Sequence, residues 1–214
     1  MMKKPLVLIL AAGKQGNFGD DKQVKQLIDI GGEPLIARTK RQFEQRGGSV
    51  LVVTWRIDAF WPYRPIFIPA SFETTADTLY STRYIWDGRV RVLLGDVLYS
   101  SRLADMIMGD VHLSWSVFGN SKLMEIFAFT FSEKDFYIHI IKALDAVRRI
   151  SQKGKLWGVY RVIEHLPSKP SGYKEAIGPH FIEMDGDYSQ DFDHVSQIDN
   201  PKIDWLSHLD DRIR

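Results

Sequence analysis

The sequence predicts an α/β protein with a mostly parallel sheet and helices on both of its faces. Two observations favour this fold class: strand-like and helix-like segments alternate along the chain, and the first strand is apolar almost throughout. A continuous apolar run such as 7–12 is typical of a central parallel strand that is covered on both sides. The 214 residues suit one domain, 1–214, with a sizeable core.

The first half of the chain alternates regularly. Strands are predicted at 49–54, 65–69 and 90–94, and helices at 35–46, 75–86 and 100–108. Gly47-Gly48 stops the first helix, and prolines on both sides make 65–69 an edge strand. The strand 90–94 runs into Gly95-Asp96 and so delivers an acid at its carboxyl end, where open α/β sheets bind their ligands.

The second half is less regular. Strands are predicted at 113–117 and 126–131, flanking a turn at 119–121. A capping box that begins at Ser132 starts a long helix, whose apolar residues recur at helical spacing. The β-branched and aromatic residues of 157–163 predict a further strand, and a terminal helix ends the chain.

Composition excludes several classes of protein. The formal net charge of +1 predicts no nucleic-acid partner, because such binding needs a strongly basic surface. Cysteine is absent, which excludes disulfides, thiolate catalysis and cysteine-ligated zinc. Lys3-Lys4 and the apolar run after them imitate a signal peptide but lack its cleavage pattern, so we interpret the run as a strand. No segment is long enough to span a membrane, and we expect a cytoplasmic location.

The segment 6–39 carries most of the functional information. It combines an apolar strand, a glycine-containing loop with Lys14 and Lys22, a further lysine at Lys25, and Gly31-Gly32-Glu33-Pro34 before a helix. A strand, glycine turn and helix present backbone N–H groups to phosphate in α/β proteins. The spacing matches neither a Walker loop nor a Rossmann fingerprint. We therefore expect a nucleotide or another phosphorylated ligand.

Three ordered blocks carry a family resemblance: Leu10-Ala11-Ala12-Gly13, Lys25-Gln26-Leu27, and the run 32–39 (GEPLIART). Their order and spacing resemble the signature of the nucleotidyltransferases with a GT-A-like fold, which include the sugar-1-phosphate nucleotidyltransferases and related MobA-like enzymes. The resemblance implies a nucleotide-diphospho-sugar transferase-like fold. It also implies transfer of a nucleotidyl group from a nucleoside triphosphate to a phosphorylated small molecule, with release of pyrophosphate.

The resemblance also implies roles for particular residues. Lys25 and Lys14 become the catalytic cations, with Lys25 at the reacting phosphates and Lys14 at the β- and γ-phosphates. The nucleotide-binding residues would come from the first block and from a second small-residue segment that starts a helix. Together they are Leu10, Ala11, Ala12, Gly13, Lys14, Thr75, Ala76 and Thr78. Thr78 could equally cap a helix.

Magnesium is the implied cofactor, because the family binds it through a strand-end aspartate and a late Asp-x-Asp. Asp96 matches the first position. Asp193 is our choice for the second, with Asp191 in reserve. Mg²⁺ prefers one or two carboxylates together with phosphate oxygens. The structural alternatives are a helix cap at Asp96 and a solvated acidic turn around Asp193.

Two departures keep other functions open. Gln15 and Asn17 stand where the family loop has a glycine and a phosphate-binding arginine, and Val24 replaces the proline before the lysine. Asparagine offers phosphate one neutral amide in place of a charged bidentate guanidinium, and Lys14 or Lys22 could substitute for the lost charge. A non-catalytic nucleotide- or sugar-phosphate-binding relative is therefore an alternative, and a glycosyltransferase of similar fold is another.

The acceptor is not fixed by the sequence. A sugar 1-phosphate is the first expectation, while a polyol phosphate, phosphocholine or a molybdopterin-like acceptor also fits. Trp115 could line an acceptor pocket, although a place in the core is the simpler interpretation. The six histidines lack metal-ligand spacing.

Overall fold

The structure is a computed structural model that describes residues 3–13, 24–109, 114–132, 134–150, 154–167, 177–184, 187 and 189–191. Its strands are β1 (Leu6–Leu10), β2 (Ser49–Val53), β3 (Ile66–Phe67), β4 (Val90–Leu94), β5 (Val97–Leu98), β6 (Trp115–Asn120), β7 (Glu125–Phe131), β8 (Phe181–Glu183) and β9 (Gln190–Asp191). Its α-helices are α1 (Leu35–Gln45), α2 (Ile57–Phe60), α3 (Thr75–Ser81), α4 (Ser101–Met108), α5 (Lys134–Ile150) and α6 (Leu156–Ile163).

Seven strands form one mixed sheet in the order β3-β2-β1-β4-β7-β6-β8. The pairs β1–β2, β1–β4, β2–β3 and β6–β8 are parallel, whereas β4–β7 and β6–β7 are antiparallel. β5 and β9 form a separate antiparallel pair beside this sheet. The predicted fold class, a mostly parallel mixed sheet with helices, is confirmed.

Alternate residues of the central strand face two separate apolar cores. Leu8 and Leu10 of β1 pack in a core with residues of α3, α5 and α6. Val7 and Ile9 pack in a second core with residues of α1 and α4. Because successive side chains of a strand point to opposite faces, β1 must be apolar throughout to serve both cores. This explains the continuous apolar run in the sequence.

The strand predicted at 157–163 is wrong, because the chain forms helix α6 there. β-Branched and aromatic residues suggested a strand, yet Leu156, Val159, Tyr160 and Ile163 follow the i, i+3, i+4, i+7 spacing of a helix. The first three of these side chains are buried. A Cβ at Gly158 would lie 3.2 Å from Val147 Cγ1, so this glycine lets α6 pack closely on α5.

Two further predictions need correction. The helix predicted to run through 86 ends at Ser81, and a 3₁₀ turn follows at Arg83–Ile85. The turn predicted at 119–121 comes later, because Gly119 remains in β6, where a Cβ would lie 2.2 Å from the carbonyl oxygen of Glu125. Strand β8 had no prediction. The predicted terminal helix lies outside the described residues.

The other predicted elements are confirmed within a few residues at their ends. β3 lies at the edge of the sheet, as the flanking prolines indicated. Within the described ranges, the helices are all too short or too polar to cross a bilayer.

Gly95 fixes the distance between the ends of β1 and β4. A Cβ at Gly95 would lie 2.7 Å from the carbonyl oxygen of Leu10 and 3.3 Å from the Ala11 Cβ. We expect Gly95→Ala to lower the free energy of unfolding by about 1–3 kcal/mol, because backbone atoms would have to move apart. Chemical denaturation measures the change. Gly13→Ala is the matched control, since a Cβ there meets nothing within 4 Å. Equal stability of the two variants would contradict the close approach.

Candidate active site

A cavity of about 440 Å³ opens at the carboxyl ends of β1 and β4. It is lined by Leu10, Ala12, Gly13, Gln26, Thr75, Thr78, Leu94, Asp96, Leu123, Met124, Glu125, Ile126, Lys155, Leu156 and Trp157. The volume lies within the usual range for small-molecule sites. The cavity brings together segments that are more than a hundred residues apart in the sequence.

The first wall is the backbone turn that follows β1. The carbonyl of Leu10 accepts a hydrogen bond from the N–H of Gly95 at 3.0 Å. The next two carbonyls are held by side chains at the end of β2: Thr54 Oγ1 donates to Ala11 at 3.2 Å, and Trp55 Nε1 donates to Ala12 at 3.2 Å. The turn predicted to bind the nucleotide is therefore fixed by its two neighbouring strands.

The amino end of α3 completes this wall. Thr74 and Asp77 form a capping box, which orients the first turn of the helix. Thr75 and Thr78 line the cavity, and the Thr78 hydroxyl donates to the Thr74 carbonyl at 3.1 Å. Ala76 is fully buried, and its N–H donates to the carbonyl of Gly154. The predicted second nucleotide-binding segment thus lies at the same cavity as the first, with the helix cap at Thr74 rather than at Thr78.

A buried cation and a carboxylate meet beside the turn. Lys25 belongs to a 3₁₀ turn at Lys25–Leu27, and only 8% of the residue is exposed. Its Nζ lies 3.8 Å from Asp96 Oδ2, and the Asp96 side chain is 26% exposed toward the cavity. Two residues that are 71 positions apart in sequence, and that were predicted separately, are therefore direct neighbours.

The opposite wall was not predicted from the sequence. It consists of the tip of the β6–β7 hairpin, through Leu123 and Met124, and the start of α6. The two parts are joined by the Trp157 indole N–H, which donates to the carbonyl of Met124. Met124 has a left-handed backbone with φ of 57°, which a non-glycine residue adopts only with support from its surroundings.

Two charged residues lie on this wall. Glu125 is half-buried, and Lys155 is exposed at the residue before α6. Lysine there offers a second cation to a ligand in the cavity. No motif pointed to either residue, because the wall arises only when the hairpin and α6 fold over the end of β1.

Several predicted residues cannot be placed. Lys14 and Asp193 lie outside the described residues, as do Gln15 and Asn17. The backbone of Asp191 is described in β9, where it pairs with Val97, the residue that follows Asp96. The chain therefore approaches the Asp96 edge two residues before Asp193. In the described part of the chain, no group of three His, Cys, Asp or Glu side chains is arranged to hold a metal ion.

Trp115 belongs to the core and not to the cavity wall. It is 3% exposed, and its ring stacks on His180 with centroids 4.5 Å apart. His180 Nδ1 lies 2.6 Å from Glu164 Oε1. The core interpretation of Trp115 is thus confirmed.

Known structures share this fold. The rv0371c homologue from Mycobacterium sp. strain JC1 is 19% identical with a TM-score of 0.58, over 91% of this chain and 92% of that chain. The CTP:phosphocholine cytidylyltransferase LicC of Streptococcus pneumoniae is 12% identical with a TM-score of 0.59, over 91% and 96%. The inositol-1-phosphate CTP transferase of T. maritima is 11% identical with a TM-score of 0.52, over 73% and 80%.

At these identities the likeness establishes the fold. The chain has the nucleotidyltransferase-like, GT-A-like fold that its motifs implied. No family model matches the sequence, and no curated protein matches it.

The cap of α3 is braced from α5. Arg148 Nε donates to Asp77 Oδ1 at 2.5 Å, and its guanidinium lies 4.1 Å from the centroid of the Tyr80 ring. Burial alone would raise the pKa of Asp77, but hydrogen bonds from Arg148 and Thr74 outweigh it and hold this pKa below its usual value. The ionised carboxylate therefore stabilises the fold.

We expect Asp77→Asn to lower the free energy of unfolding at pH 7 by about 1–2 kcal/mol, because it removes a charge-assisted hydrogen bond. A depressed pKa in the folded state gives stability that is complete above the unfolded value, near about 3.9, and is lost as pH falls through the folded value. Denaturation curves at several pH values should show the variants converging in acid. Asp105→Asn, in a more exposed pair with Arg46, is the control and should change stability less. If wild type and Asp77→Asn differed in free energy of unfolding by the same amount at every pH, the stabilising role of the ionised Asp77 would be contradicted.

Proposed function

We propose that this chain is a nucleotidyltransferase. It transfers a nucleoside monophosphate from a nucleoside triphosphate to a phosphorylated small molecule and releases pyrophosphate. The observation that supports this most is the single cavity shared by the Ala12–Gly13 turn, the α3 segment and Asp96, with Lys25 directly behind Asp96. Three separately predicted segments converge there, which fits one ligand better than three structural roles.

The two walls suggest a division of the cavity. The nucleobase lies against the Ala12–Gly13 turn and the α3 residues Thr75 and Thr78, where backbone groups and hydroxyls can form hydrogen bonds to its edge. The acceptor lies against the hairpin tip and the start of α6. The triphosphate runs between them, toward Asp96 and Lys25. The reacting groups are thereby brought together, which removes much of the entropic cost of the reaction.

The proposed reaction depends on neutralising the negative charge of the phosphates and needs no covalent intermediate with the protein. An oxygen of the acceptor phosphate forms a bond to the α-phosphorus, the bond from that phosphorus to the α,β-bridging oxygen breaks, and the electron pair leaves with pyrophosphate. Lys25 offsets negative charge on the reacting phosphates, and Lys14 does so at the β- and γ-phosphates. Lys155 is placed to bind the acceptor phosphate on the opposite wall.

Magnesium fits the carboxylate on this edge. Asp96 lines the cavity and is partly exposed, and one or two carboxylates with phosphate oxygens are the usual ligands of Mg²⁺. Asp96 and Asp193 would hold the ion. When bound, it would supply further neutralisation of the phosphates.

A sugar 1-phosphate is the acceptor that we propose first. The similar structures include enzymes named for phosphocholine and for inositol 1-phosphate, so the fold accommodates acceptors of different shape. We further propose that the enzyme acts in the cytoplasm on these small molecules and not on nucleic acid, in keeping with its formal net charge of +1.

Pyrophosphate release tests the proposal directly. The chain is incubated with CTP, UTP, GTP, ATP or dTTP, with Mg²⁺, and with sugar 1-phosphates, polyol phosphates or phosphocholine. We expect one pair of substrates to release pyrophosphate, and EDTA to stop the reaction until Mg²⁺ is restored. Binding of a nucleotide without turnover for every acceptor would instead support the non-catalytic relative that Gln15 and Asn17 suggest. Consumption of a nucleotide sugar with release of a nucleoside diphosphate would indicate a glycosyltransferase.

Lys25→Ala and Asp96→Ala should each reduce the rate of pyrophosphate release by about 10²-fold or more, because the first removes a cation from the reacting phosphates and the second removes a proposed ligand of Mg²⁺. Lys40→Ala is the matched control. Lys40 pairs with Glu44 on α1, away from the cavity, so its removal should leave the rate unchanged. Melting temperatures show whether each variant is folded. Unaltered turnover in both site variants would refute these assignments.

A further inference from the structure

Trp55 contacts the first segment of the proposed nucleobase wall and a residue that precedes the second. It follows β2, and its indole N–H donates to the carbonyl of Ala12 at 3.2 Å. Its ring stacks on Phe72, with centroids 5.4 Å apart and an angle of 19° between the planes. One side chain therefore joins the turn after β1 to the residues that lead into α3.

Phe72 is connected to α3 through its neighbour Ser71, which is hydrogen-bonded to the last residue of that helix. The N–H of Ser71 donates to Ser81 Oγ at 3.1 Å, and the same hydroxyl oxygen lies 3.2 Å from the Ser71 carbonyl. The helix in turn presents Thr75 and Thr78 to the cavity. A shift of the Trp55 ring would thus be transmitted to both sides of the slot between the turn and α3.

Core packing does not account for this arrangement. The Trp55 residue is 39% exposed, so burial alone does not fix the position of its ring. Its position is set by directional contacts instead: the hydrogen bond, the stacked ring, and the Arg56 guanidinium 4.9 Å from its centroid. Thr54 adds a second anchor. Its hydroxyl donates a hydrogen bond to the Ala11 carbonyl and accepts one from the N–H of Arg56.

We infer that Trp55 is a positioning residue that fixes the width of the nucleobase slot and thereby determines which bases the site accepts. The inference rests on the proposed function, since it needs a nucleotide in this cavity. Trp55 need not touch the base. It holds the Ala12 carbonyl and the α3 segment at a set separation, and a slot of fixed width distinguishes a one-ring base from a two-ring base.

The test separates the hydrogen bond from the stacking. Trp55→Phe keeps an aromatic ring against Phe72 but removes the indole N–H. Phe72→Leu keeps the N–H but removes the stacked ring. Trp61→Phe is the matched control, because Trp61 is also exposed and also lies near an arginine, Arg64, but makes no contact with the turn or with Phe72. Dissociation constants for CTP, UTP, GTP, ATP and dTTP with Mg²⁺ are measured by thermal shift.

We expect wild type and Trp61→Phe to prefer the same base class to the same degree. In Trp55→Phe and in Phe72→Leu, the ratio of dissociation constants between disfavoured and favoured bases should fall about fivefold, as for loss of one net hydrogen bond in the first variant and of one aromatic pair in the second. KM for the favoured nucleotide should rise while kcat stays within about twofold, because a positioning residue for the base does not act on the phosphates.

The outcomes distinguish the two claims. If wild type binds no nucleoside triphosphate, the proposed function fails and this inference fails with it. If wild type binds nucleotides but both variants keep its base ratios, only the inference is overturned. The same holds if wild type binds all five nucleotides equally. If one of the two variants does not fold, as judged by melting without ligand, the base ratio of the other decides.

Discussion

The parallel register of β1 with β4 is the constraint on which the site depends. Leu10 pairs with Leu94, and immediately beyond that pair the N–H of Gly95 donates to the Leu10 carbonyl. Gly95 has no Cβ that would push the ends of β1 and β4 apart. The next residue, Asp96, therefore comes close to Lys25. β1 is apolar throughout, and β4 is apolar except for Arg91, because both strands lie between two cores. The charged side chains Lys25 and Asp96 are thus positioned by the packing of apolar strands.

The two walls of the cavity are held in different ways. The proposed nucleobase wall is tied to the sheet by hydrogen bonds from the end of β2 and to α5 by the pair Asp77–Arg148. The proposed acceptor wall depends on the packing of α6 against α5, and on the hydrogen bond between Trp157 and Met124. The first wall rests on sheet register and the second on a hairpin tip, where local stability is usually lower.

Local signals in the sequence predicted one half of this site. The runs at 7–12, 49–54 and 90–94 were predictable as buried strands because most of their residues are apolar, and Gly95-Asp96 marked the end of β4. The acceptor wall could not be predicted in this way, because Met124 and Trp157 meet only through tertiary folding. Composition also misled at α6, where Val159 and Tyr160 favour a strand although their spacing fits a helix. Gly119 was interpreted as a turn, while its actual role is close contact within a hairpin.

The central claim is that a nucleoside triphosphate occupies the cavity in one orientation. The most direct measurement is a crystal structure of the chain with Mg²⁺ and the nucleotide that stabilises it most. We expect the base to lie between the Ala12–Gly13 turn and the α3 residues Thr75 and Thr78, and the phosphates to lie near Asp96 and Lys25. A nucleotide bound elsewhere on the molecule, or one with its base against Met124 and Trp157, would contradict it.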